Sequence, residues 1–157
     1  MKRFLKTAFI VVATIFLTLC VYQYNPIKTT HIETVVVDKS YDEVWEVLSN
    51  PLLYNDLYPH WIKAIEKTGQ NTYQYTMPHV DNVVTEMTVT ANKKFGIIDL
   101  YIEGETSQAR LVPIGDEKTA YVHVGYRWPG FNLFMWLMYK WGIHQDFKNT
   151  KSYIEAR

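Results

Sequence analysis

The chain has 157 residues, 16 basic and 16 acidic side chains, and a single cysteine, Cys20. Lys2, Arg3 and Lys6 precede an uncharged run, and the residues beyond that run carry 13 basic against 16 acidic side chains, a net charge of −3. That balance excludes a basic nucleic-acid face and a polybasic lipid-binding patch, and one cysteine excludes an intramolecular disulfide.

The uncharged run is Thr7–Tyr24, TAFIVVATIFLTLCVYQY. As a helix its 18 residues rise ~27 Å, close to a bilayer's hydrocarbon thickness. Tyr22 and Tyr24 suit a headgroup layer, and Asn25-Pro26 stops the helix. The sequence therefore predicts a single-pass transmembrane anchor. The three preceding positive charges place the N-terminus in the cytoplasm and the rest of the chain on the extracytoplasmic side. A cleaved signal peptide and lipidation at Cys20 stay open as competing readings. The first lacks an A-x-A site, and the second has Leu19 where a small residue is usual. The resulting division is 1–6 basic segment, 7–24 anchor, 25–30 linker and 31–157 domain.

His31–Asp38 reads as a strand from its β-branched run. Ser40 and Glu43 form a capping box before a helix whose apolar face is Val44, Val47 and Leu48. A second short helix is predicted over Leu52–Leu57, followed by irregular Tyr58-Pro59-His60-Trp61. Six further strands are predicted at Ile62–Lys67, Thr72–Met77, Val83–Ala91, Phe95–Glu103, Thr106–Pro113 and Thr119–Trp128, with turn-forming residues between them. The period then becomes helical over Phe131–Glu155, and Gly142 marks a bend or a close contact. This order makes an α+β domain, an antiparallel sheet curved around a long amphipathic helix.

The phrases VVVDKSYDEVWEVLSNPLLYNDLYPHW and DFKNTKSYIEAR carry a likeness. The sequence resembles the START-like superfamily, also called SRPBCC or polyketide cyclase/dehydrase and lipid-transport proteins. Val44-Trp45-Glu46-Val47-Leu48-Ser49-Asn50 and Trp61 fill the positions of its first helix and following tryptophan, while Thr150 stands where leucine is common. The resemblance implies a helix-grip fold, seven antiparallel strands around the C-terminal helix, with a cavity for a hydrophobic small molecule or lipid. Combined with the anchor, it implies membrane-anchored binding of a lipid, quinone-like or related ligand. A cyclase- or dehydratase-like enzyme on the same fold and a non-enzymatic membrane scaffold are the alternatives.

For the cavity wall on the helix, the sequence points to Phe134, Leu137, Met138 and Trp141. On strand parity, Glu103, Arg110, Tyr121 and His123 are the polar candidates for holding a ligand's head. The competing reading of that parity puts these polar residues in solvent, with Ile98, Leu100, Ile102, Ala109, Leu111, Val122 and Val124 facing the core. The five histidines show no metal-ligand spacing, and no nucleophile or phosphate-loop motif is present. No metal, cofactor or catalytic residue is assigned.

Overall fold

A computed structural model describes residues 9–18, 30–80, 83–102, 105–126 and 133–157, without the side chains of residues 105 and 133–135. Helix α1 covers residues 9–18. Strand β1 (Thr30–Val37) leads to α2 (Tyr41–Leu48), a 3-10 turn (Pro51–Leu53) and α3 (Tyr54–Leu57). Then come β2 (Ala64–Lys67), β3 (Thr72–Thr76), β4 (Val84–Asn92), β5 (Ile97–Ile102), β6 (Glu105–Pro113), β7 (Thr119–Tyr126) and α4 (Leu133–Glu155). The seven strands form one antiparallel sheet in the order β1-β7-β6-β5-β4-β3-β2. This is the expected helix-grip layout.

The transmembrane expectation is corrected. The described part of α1, residues 9–18, rises ~15 Å, about half of a hydrocarbon core. Among the described residues no helix is long and apolar enough to cross a membrane. The remainder of the predicted anchor, residues 7–8 and 19–24, lies outside the described residues, as does Cys20. The extracytoplasmic placement falls with the anchor, because the charge rule orients only a helix that spans.

Local chemistry explains the start of the domain. Glu43 Oε2 accepts from the Ser40 N–H at 2.9 Å, and Ser40 Oγ accepts from the Glu43 N–H at 3.4 Å, closing the capping box on α2. Val44, Trp45, Val47 and Leu48 are buried, so α2 packs onto the core with one face. Asn50 Oδ1 accepts from the Leu52 N–H and caps the 3-10 turn that carries the chain into α3. Leu57 and Tyr54 are fully buried there.

Helix α4 is one continuous piece lying against β1 and α3. Its buried side holds Trp136, Tyr139, Ile143, Asp146, Phe147, Thr150 and Ile154. In the first half of the helix hydropathy alone chose the opposite face, while Phe147, Thr150 and Ile154 of its helical period are buried. Leu137, Met138 and Trp141 are 55%, 46% and 52% exposed, while Asp146 and Thr150 are completely buried. Tertiary hydrogen bonds allow that inversion. Thr150 Oγ1 donates to the Leu57 carbonyl at 3.1 Å, and Asn149 Nδ2 donates to the Asp56 carbonyl at 2.6 Å.

Candidate functional site

Between the inner face of the sheet and α4 lies a cavity of about 310 Å³. Its sheet wall is Tyr75 on β3, Thr85 and Met87 on β4, Leu100 and Ile102 on β5, Ser107 on β6, and Tyr121 and His123 on β7. Tyr139, Ile143 and Phe147, spaced four apart on α4, make the opposite wall. Tyr54 of α3 and Tyr58, Trp61 and Ile62 of the following loop close one end. Aromatic rings therefore surround most of the space.

The register of β6 and β7 decides which polar groups face inward. Leu111 pairs with Tyr121 and Ala109 with His123, whereas Arg110 pairs with Val122. Paired residues share a face of the sheet. Tyr121 and His123 therefore join Ala109 and Leu111 on the buried side, and Val122 goes outward with Arg110. Neither strand-parity reading had this arrangement, because each put Tyr121 and His123 on the same face as Arg110. Arg110 is exposed and donates from Nε to Gln108 Oε1 at 2.6 Å, and Gln108 Nε2 donates to Asp99 Oδ1 at 2.6 Å. Glu103 and the Phe134 side chain lie outside what the structure describes. Leu137, Met138 and Trp141 are not in the cavity lining.

Two polar features stand in the apolar wall. The hydroxyls of Tyr58 and Tyr121 are 2.8 Å apart in a hydrogen bond. Burial pushes both phenols up from their ordinary range, so both stay protonated at neutral pH. His123 is the second feature. It is 7% exposed, and its Nδ1 has no hydrogen-bond partner among the described residues. Burial, with His31 nearby, pushes its imidazole down to about 4, so it is neutral at pH 7. Phe147 stacks on Tyr121 with ring centroids 4.4 Å apart and meets His123 edge-on at 5.9 Å. A Cβ on Gly125 would collide with Tyr139 Oη, so only glycine there lets Tyr139 approach β7.

Behind the cavity, His60 Nδ1 meets Asp146 Oδ1 at 2.5 Å. Asp146 is fully buried, and its Oδ2 has no partner among the described residues. Burial raises its carboxyl above the ordinary value, against the pull of His60. The pair pins the loop carrying Tyr58 and Trp61 to α4. Among the described residues no group of His, Cys, Asp and Glu is arranged to hold a metal.

Tyr58, Tyr139 and Phe147 were not picked out as cavity residues from the sequence. Phe147 did lie on the helical period, but Tyr58 sits in a stretch with no period at all. Trp61 was visible only as a position in the family phrase.

No protein-family model matches the chain, and no curated protein does. Solved structures do. The Zhui aromatase/cyclase from a Streptomyces is 18% identical, with a TM-score of 0.68, covering 83% of this chain and 96% of that one. The di-domain ARO/CYC protein BexL is 11% identical, with a TM-score of 0.67, covering 81% of this chain and 46% of that one. A START superfamily protein from Mycobacterium smegmatis is 15% identical, with a TM-score of 0.59, covering 82% of this chain and 95% of that one. At such identities the likeness shows the fold alone, the helix-grip fold that these structures share with this chain.

Proposed function

We infer that the chain takes a hydrophobic small molecule into the helix-grip cavity, as a polyketide-cyclase-like member of its superfamily. The supporting observation is the cavity itself: about 310 Å³, walled by aromatic and aliphatic side chains with a few polar groups. Such a lining is the usual small-molecule site. The driving term is burial of apolar ligand surface, roughly 25 cal/mol per Å². No membrane attachment enters this reading.

The test uses N-phenyl-1-naphthylamine, an uncharged probe whose fluorescence rises in apolar surroundings. The wild-type chain is expected to bind it at one equivalent. Ile143→Trp, which fills the cavity from α4, is expected to weaken binding at least tenfold with the circular dichroism spectrum retained. Equal binding by both proteins would refute the cavity as the site.

A catalytic reading stands second, favoured by the Tyr58–Tyr121 pair and His123 facing one cavity. Two of the similar structures carry aromatase/cyclase names. In that reading Tyr121 polarises a carbonyl as a hydrogen-bond donor. A poly-β-ketone substrate analogue would then gain aromatic absorbance with the wild type and at least tenfold more slowly with Tyr121→Phe. No gain over the buffer rate would refute it.

A further inference from the structure

The cavity lining also restricts the ligand's charge and its polar groups. Every described residue on it is uncharged at neutral pH; among them His123 is the one titratable group that could gain a proton, and it is 7% exposed and flanked by Phe147. Arg110, the cation that a carboxylate would need, is on the opposite face of the sheet. A carboxylate or phosphate drawn into this space loses its hydration with no cation among the described lining residues to replace it. A ring-lined space of this kind suits flat aromatic ligands, which stack or meet edge-on.

The polar groups add a pattern. In the Tyr58–Tyr121 pair one hydroxyl donates to the other. The accepting tyrosine keeps its own proton, which has no acceptor within the pair. The imidazole of His123 has a buried nitrogen with no partner among the described residues. A buried polar group left unpaired is costly, so a ligand group that pairs with it is rewarded.

We propose that the ligand is an uncharged aromatic compound bearing a hydroxyl, with that hydroxyl hydrogen-bonded to the His123 imidazole and a ring or carbonyl acceptor meeting the Tyr58–Tyr121 pair. This rests on the cavity-binding reading above and narrows it to a ligand class that leaves out fatty acids, phospholipids and other anions.

Three probes of equal ring size decide it by equilibrium dialysis at pH 7.5: 2-naphthol, 2-methylnaphthalene and 2-naphthoate. With the wild type, 2-naphthol is expected to bind at least tenfold more tightly than 2-methylnaphthalene, and 2-naphthoate at least tenfold more weakly than 2-naphthol. In His123→Phe the ratio of 2-naphthol to 2-methylnaphthalene affinity is expected to fall to within threefold of one. Tyr121→Phe is expected to lower that ratio partway. The wild-type comparison needs no variant, so a poorly folding variant leaves the test intact. If 2-methylnaphthalene binds and 2-naphthol gains nothing over it, or 2-naphthoate binds as tightly as 2-naphthol, the proposed ligand class is overturned and the cavity reading stands. If none of the three binds, both fall.

Discussion

The indole of Trp61 lies against Gly142 so closely that a Cβ on that glycine would stand 3.1 Å from Trp61 Nε1 and Cζ2. The two residues are brought together by the docking of the cavity loop on α4, which the His60–Asp146 pair also holds. The glycine that the helical period tolerated is thus a close contact and not a bend. Gly142→Ala gains up to ~1 kcal/mol of helix propensity and loses a comparable amount by crowding the ring. Urea denaturation is expected to show no gain for Gly142→Ala in the wild type and a gain approaching ~1 kcal/mol in a Trp61→Phe background. An equal gain in both backgrounds would mean that the indole does not restrict this position.

His123 makes acid stability depend on pH. Its folded value of about 4 lies below the ordinary 6.5. Above pH 6.5 both folded and unfolded chains hold it neutral. As pH falls toward 4 the unfolded chain takes a proton that the folded chain refuses, so stability declines, by roughly 3 kcal/mol at most. His31, also lowered by burial, acts in the same direction. His123→Phe is expected to flatten the stability profile between pH 6.5 and 4, with the His31 slope remaining. A profile parallel to the wild type over that window would show that His123 is not buried as a neutral group.

The His60–Asp146 pair gives the third prediction. Asp146 is fully buried, so His60→Ala leaves its carboxylate with only the backbone N–H of residue 60, at 3.4 Å, on that oxygen. Breaking such a pair costs ~3 kcal/mol. Burial already raises the carboxyl, and losing His60 raises it further. A carboxyl raised in the fold costs stability as pH climbs through its folded value, so the loss from His60→Ala is expected to be smaller at pH 5 than at pH 7. Chemical denaturation at the two pH values measures it; a loss independent of pH would assign the cost to packing of the ring.

Thr150 stands where leucine is common in the family the sequence resembles, and its hydrogen bond accounts for the difference. Its hydroxyl and the Asn149 amide both donate to the Leu57 carbonyl, at 3.1 and 3.3 Å. Either donor alone keeps that carbonyl satisfied. Thr150→Val is expected to cost about 1 kcal/mol. Thr150→Val combined with Asn149→Ala is expected to cost more than the sum of the two, because only then is a buried carbonyl orphaned. Simple additivity in a double-mutant cycle would mean that the two donors do not share the acceptor.

Much of the fold was legible along the chain, since its signals are local. The capping box at Ser40 and Glu43, the β-branched run of β1, and the turn residues between strands all act within a few positions. Each appears in the structure within two residues or so of its expected place. The apparent anchor was legible for the wrong reason. Hydropathy reports what a segment tolerates as surroundings, whereas spanning also requires helical length, and among the described residues no helix is long and apolar enough to span.

The cavity was less legible. On α4 the apolar side chains Leu137, Met138 and Trp141 are exposed, and the buried stripe includes Gly142, Asp146 and Thr150 beside Ile143, Phe147 and Ile154. Close contact with Trp61, the bond to His60 and the bond to Leu57 select that stripe, and each comes from a residue more than 80 positions away. Likewise the inward turn of Tyr121 and His123 follows from pairing with Leu111 and Ala109. What the sequence by itself determined was element order and the helix-grip layout, because capping, branching and turn chemistry act between neighbours. The tertiary structure alone decided which face of α4 and of β7 meets the cavity, because strand register and long-range hydrogen bonds outweigh a few apolar side chains.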